Sequence, residues 1–154
     1  MTLRTLALGT LLLLIPMPLL SCAGQRPANL GVSDGGLAPC PSSPNCVSSD
    51  ATDESHQVPP FRLAVPSDEA WRAARKVVSE LPRTRIAQET GDYLHAECRS
   101  VLFGFVDDLE LHFRPAEGII AIRSASRLGY SDLGVNRRRV GDLRASLTAL
   151  GALR

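Results

Sequence analysis

This chain has no excess of charge and no apolar run long enough to cross a membrane. Seventeen basic residues against sixteen acidic ones give a formal net charge of +1, which argues against a nucleic-acid partner, since such partners are held by clustered cations. No glycine-rich phosphate loop or dinucleotide fingerprint occurs, so no cofactor is expected. The Gly-x-Ser-x-Gly nucleophile elbow is missing as well. His56, His95 and His112 are the only histidines, and their spacing fits no metal-ligand pattern, so no metal is expected. The run Leu6 to Ile15 is interrupted at Pro16 and Pro18, short of the roughly 20 apolar residues that a spanning helix needs.

What that run does offer is an address. Arg4 precedes it and Leu19-Leu20-Ser21-Cys22 follows it, in the order of a secretory signal: positive, apolar, small. The ending resembles a bacterial lipoprotein signal, which implies cleavage before Cys22 and acylation of that cysteine on sulfur and amine, palmitate included. Two or more acyl chains hold stably where one does not, at about 0.8 kcal/mol per buried methylene. The expectation is a protein exported across the inner membrane and lipid-anchored in the bacterial cell envelope. Removing residues 1–21 leaves 133, enough for one domain with a real core. Residues 22–38, with Gly24, Pro27, Gly31, Gly35 and Gly36, have the composition of a flexible tether, and 39–154 form a single domain.

Three cysteines remain after Cys22. In an oxidising compartment Cys40 and Cys46, at the ends of Cys-Pro-Ser-Ser-Pro-Asn-Cys, are the natural disulfide. Cys98 alternates in phase with Leu94 and Ala96, the position of a buried, inert thiol rather than a nucleophile.

Regular structure begins after Pro66. Ser67 is a candidate cap for a helix in which Trp71, Ala74, Val78 and Leu81 recur at helical spacing until Pro82. Strands follow at 83–90, 93–102, 105–114 and 119–127, with Leu94, Ala96, Cys98 and Leu102 on one face of the second. In the third, Phe105, Leu109, Leu111 and Phe113 lie opposite Asp108, Glu110 and His112. Pairing Phe113 with Ile120 and Leu111 with Ile122 keeps the apolar side chains together and sets Glu110 against Arg123; a slip of one residue would drive Arg123 into the core. After a loop at 128–135 comes a helix with Asn136 as cap, Val140, Leu143, Leu147 and Leu150 as buried stripe, and Gly151 as stop. The expected fold is α+β: a four-stranded antiparallel sheet with two helices packed on one face.

Charge is segregated along this scaffold. Acids dominate from Glu89 to Glu117, and arginines from Ile119 to Arg144. Two features break local rules. Asp107 is in phase with the core residues of its strand, where an unpaired carboxylate is costly, so it needs a partner; Ser126 opposite and Arg127 nearby are candidates. Arg137-Arg138-Arg139 at a helix start oppose the helix dipole. Their compensation is either internal, from Asp107, Asp108 or Asp132, or an external anion at the free amides.

Pro-Asn-Cys-Val-Ser-Ser at 44–49, Phe-Val-Asp-Asp-Leu-Glu at 105–110 and Arg-Ser-Ala-Ser-Arg-Leu-Gly-Tyr-Ser-Asp-Leu-Gly-Val-Asn-Arg at 123–137 resemble the domain of unknown function 1499 family. The resemblance runs from about Cys40 to Leu147. It implies a small exported or envelope-associated bacterial domain, with relatives in photosynthetic lineages, and carries over no reaction. The ligand-binding candidates are Asp107, Asp108, Arg123, Ser124, Ser126, Arg127, Asp132, Asn136, Arg137 and Arg138. The leading expectation is a non-enzymatic envelope lipoprotein whose polar cluster binds an anionic small molecule, a lipid headgroup or a protein partner. The alternative is a hydrolase-like enzyme with Asp107 or Asp108 as base and Ser124, Ser126 or Cys98 as nucleophile.

Overall fold

The computed structural model describes residues 23–154; the signal expected at 1–21 and the lipidation expected at Cys22 lie outside the described residues. In chain order the elements are β1 (Val32–Ser33), β2 (Gly36–Leu37), β3 (Cys46–Ser48), β4 (Phe61–Arg62), α1 (Ser67–Ser79), β5 (Thr84–Glu89), β6 (Tyr93–Arg99), β7 (Val106–Arg114), β8 (Ile119–Ser126) and α2 (Val135–Ala149). Strands β5 to β8 form an antiparallel meander. Its last pair has the expected register: Phe113 opposes Ile120, Leu111 opposes Ile122 and Glu110 opposes Arg123. The turn between them passes through Gly118, whose φ of 65° favours a residue without Cβ.

The sheet is larger than the four strands expected. β3 and β4 both pair antiparallel with the free side of β8, Cys46 against Ala125 and Phe61 against Ile120. The result is a six-stranded sheet, ordered β3-β8-β7-β6-β5 with β4 also on β8, beside a separate β1–β2 ribbon. The physical reason is the edge. Without β3 and β4, strand β8 would expose a row of unpaired amides and carbonyls. The Pro- and Ser-rich segment after Pro39 covers that row with pieces of two or three residues, too short to carry a period. The Cys40–Cys46 disulfide forms at the start of β3.

On the inner face Leu94, Leu109, Leu111, Ile120 and Ile122 share one apolar cluster with Trp71, Ala74 and Val78 of α1 and Val140, Leu143 and Leu147 of α2. Trp71 stacks on Phe113 with ring centroids 5.3 Å apart. Local details differ from expectation at the element ends. Pro66, not Ser67, precedes α1, and no side chain caps that helix. Leu102 leaves the face of Leu94, because the Ser100 amide bonds the Phe105 carbonyl and closes a hairpin turn; Leu102 is 84% exposed. Leu150 ends α2 on the solvent side.

The outer face is not solvated either. Residues 24–37, the segment expected as a tether, lie across it. Leu37 is buried against Tyr93 and Ala121, its amide donating to Asp50 Oδ2 at 2.9 Å. The Gly31 amide donates to Glu110 Oε1 at 2.9 Å, and Arg26 Nη2 lies 2.9 Å from His95 Nδ1. Gly24 has φ of 67°, and a Cβ there would come within 2.9 Å of Arg127 Cβ and 3.0 Å of Leu128 Cγ. Only glycine fits that approach.

Candidate functional site

The alternation of β7 and β8 sends the candidate residues to opposite faces of the sheet, so they form two networks. On the inner face Asp107 opposes Ser126 as expected. Its ionic partner, however, is Arg139: Arg139 Nη2 donates to Asp107 Oδ2 at 2.6 Å. The hub of this network is Asn136, fully buried. Its Nδ2 donates to the Asn45 carbonyl at 3.0 Å and to Ser126 Oγ at 2.9 Å. Its Oδ1 accepts from Ser124 Oγ and from Arg139 Nη1, each at 2.6 Å. Asn136 therefore does not cap α2. Gly134 holds the cap position, and Asp132 ahead of it accepts from the amides of Gly134 at 3.0 Å and Asn136 at 2.7 Å, where a carboxylate also complements the helix dipole.

The arginines at the start of α2 find compensation within the protein. Arg139 takes Asp107. Arg137 donates to the carbonyls of Ser55 and Gln57 at 2.7 and 2.9 Å, and Arg138 to that of Leu133 at 2.8 Å.

The outer network is denser in charge. Arg127 holds Asp108 with two parallel bonds, Nε to Oδ2 at 2.9 Å and Nη2 to Oδ1 at 2.7 Å, and reaches Glu97 Oε1 at 2.8 Å. His95 Nε2 lies 2.7 Å from Asp108 Oδ1. Since Arg26 only donates, His95 Nδ1 accepts, and the ring proton toward Asp108 sits on Nε2. Burial by itself raises the pKa of Asp108, but the hydrogen bonds from His95 and Arg127 together outweigh it and hold the carboxyl below its ordinary range. Glu97 is lowered chiefly by the Arg127 hydrogen bond, against burial and with help from Arg85. A neighbouring set joins Arg123 Nη1 to Glu110 Oε2 at 2.8 Å and the Tyr93 hydroxyl to Glu110 Oε1 at 2.8 Å. Burial, then the Glu110 charge, push the Tyr93 phenol upward.

Between the N-terminal segment and this face runs a cleft of about 410 Å³, lined by Pro27, Asn29, Pro39, Asp108, Arg123 and Arg127 among others. Arg123 pairs with Glu110 but has one donor left over. Among the described residues its buried Nε has no hydrogen-bond partner.

For chemistry, the distribution of protons matters. Ser124 Oγ donates to an amide oxygen, Asp107 is bound to Arg139, and burial pushes the Cys98 thiol up. Among the described residues no three His, Cys, Asp or Glu side chains converge as metal ligands do.

Residues 36–147 match the family described as protein of unknown function, DUF1499. The chain belongs to that family. No curated protein and no solved structure matches it. The DUF1499 match runs from β2 into α2, so both networks fall inside it, except for Arg26 and Gly31.

Sequence reasoning missed Arg26, Asn45, Tyr93, His95 and Glu97 as network members, while Arg139 was among the arginines expected to find an acid such as Asp107. One signal for three of them was available. His95 and Glu97 share a strand face with Tyr93, and that face pairs with the face of Asp108 and Glu110.

Proposed function

We propose that this protein is an exported envelope lipoprotein, anchored through acyl groups on Cys22, whose DUF1499 domain binds a small anionic ligand without transforming it. The observation that carries the ligand reading is the buried, partnerless Nε of Arg123 beside the outer-face cleft. Leaving a charged donor buried without an acceptor costs more than an ordinary hydrogen bond contributes. A carboxylate or phosphate oxygen in the cleft supplies that acceptor, and the guanidinium fork suits such groups. The neighbouring Asp108 offers little repulsion, because Arg127 and His95 already hold it.

The non-enzymatic part is supported by the absence, among the described residues, of a contact between a candidate nucleophile and a candidate base. Ser124 and Ser126 each bond Asn136, and Arg139 holds Asp107.

The test is titration with inorganic phosphate and with glycerol 3-phosphate, followed by nuclear magnetic resonance of the arginine Nε–H signals. A saturable shift at Arg123 and at Arg127, which lines the same cleft, with the Arg127 response lost in Arg123→Lys, is the expected result. The lysine keeps the charge that Glu110 needs and removes the Nε donor. No shift at millimolar ligand, or an equal response in both proteins, would remove the ligand reading.

A further inference from the structure

Apolar side chains left in water are scattered on most domains, but here they are gathered. Among the described residues, eight of the ten large apolar side chains that are exposed lie in two loops, 100–105 and 128–134, or at Val135. Leu102 and Phe103 head the first loop, and Tyr130 and Leu133 the second. The β7–β8 pairing brings both loops to the same end of the sheet, because Val106 at the start of β7 accepts a hydrogen bond from the amide of Arg127 after β8. Phe103 and Phe105 touch each other, ring centroids 5.5 Å apart, rather than the core. A contiguous exposed patch of this kind marks a contact surface.

Two further observations say what it contacts. The first is where the described chain begins. Gly24 is seated against Arg127 and Leu128, at the root of the second loop. Cys22 is two residues earlier, and two residues of chain reach at most about 7 Å. An acyl group carried on Cys22 would thus be tethered within that reach of Gly24, at the end of the sheet that holds the apolar loops. The second is charge. Arg83, Arg99 and Arg138 are exposed around this end. Of the acids nearby, Asp132 is engaged by the amides of α2, Asp107 by Arg139, and Glu80 lies 4.0 Å from Lys76, which leaves Asp142. The opposite end carries exposed Asp92 and Glu117 beside exposed Arg62 and Arg154.

We propose that the loops 100–105 and 128–134 are a membrane seat: anchored at Cys22, the domain rests this end on the bilayer, with Leu102, Phe103 and Leu133 among the acyl chains, Tyr130 at the headgroups and the arginines toward anionic lipid. This rests on the lipidation of Cys22 proposed above. The arrangement follows the physics of interfacial proteins, in which apolar tips enter the headgroup boundary and aromatic and cationic side chains line it. It also gives the anchor a second contact and hence the domain a fixed orientation. The outer-face cleft then opens alongside the membrane surface rather than away from it.

The experiment uses the mature protein in vesicles of phosphatidylethanolamine and phosphatidylglycerol. An environment-sensitive dye is placed on Leu102→Cys, on Leu133→Cys and, as the far-end control, on Glu117→Cys. Cys98 is buried and Cys40 and Cys46 are paired, so the introduced thiol takes the dye. Brominated lipid is expected to quench the dyes at 102 and 133 several-fold more than the dye at 117. Vesicle-bound protein in which all three dyes are equally accessible to a water-soluble quencher overturns the seat and leaves the anchor standing. Mass spectrometry reads the anchor separately: a mature chain with no acyl mass on Cys22 overturns the lipoprotein reading, and the seat with it.

Discussion

Arg127 closes a two-pronged grip on Asp108 and extends the same Nη2 to Glu97, tying β8 to β7 and β6 in a single side chain. All three charges are largely withdrawn from water, with side chains 5%, 1% and 9% exposed. Removing one partner of such a set leaves the others buried and unpaired. Arg127→Ala is therefore expected to lower unfolding free energy by about 3 to 5 kcal/mol, read from urea denaturation. Arg127→Lys keeps the charge but not the fork and is expected to fall between the two. An alanine variant within experimental error of the parent refutes the ion network as a structural element.

Acid should dismantle the same network. Asp108 and Glu97 have folded pKa values below their ordinary ones. Their contribution is thus fully present above the unfolded pKa values, near pH 4, and is lost as the pH falls through the lower folded values. The urea midpoint is expected to be flat on this account between about pH 7 and pH 5, and to drop below about pH 4. Because Arg127 is the lowering partner common to both, the Arg127→Ala protein should show a shallower drop.

Asn136 acts as both donor and acceptor at the centre of the inner network. Asn136→Ala takes away the donor to Ser126 Oγ and the shared acceptor of Ser124 and Arg139, while the Asn45 carbonyl keeps the Ser126 amide, an expected loss of about 2 to 3 kcal/mol. Asn136→Asp is not a remedy. A carboxylate still accepts from Ser124 and Arg139 but has no proton for the Asn45 carbonyl. Both variants should melt below the parent, whereas a capping role alone would let aspartate substitute freely.

Reduction of Cys40–Cys46 opens a loop of sequence separation 6. The chain-entropy estimate for so short a loop is about 2 kcal/mol. The loss should be local. Hydrogen exchange is expected to quicken at the β3 amides that pair with β8 while β7 stays protected, and uniform acceleration across the sheet would contradict this.

What the residues disclosed in advance was the part governed by short-range periodicity. The meander from Thr84 to Ser126 and the Glu110–Arg123 register followed from alternation and from the cost of burying Arg123 beside Leu109. The two edge strands were invisible for the opposite reason: Cys46–Ser48 and Phe61–Arg62 are held by what β8 lacks, not by a pattern of their own. The same limit applies to the site. Asp107 was recognisable as a carboxylate in need of a partner, but Arg139 stands 32 residues away, and only the packing of α2 against the sheet selects it over Arg127. The burial of the outer-face acids was not legible, because nothing in a Gly- and Pro-rich stretch announces that it will lie over them.

That stretch sets an order of events. Its contacts join residues separated by 69 and 79 positions, Arg26 with His95 and Gly31 with Glu110. The ribosome makes this part before any of the strands it covers, so it must wait for them before it finds its place. Until β6 and β7 have zipped together there is no surface for it to close over, and the ionic face beneath stays open to water throughout that wait.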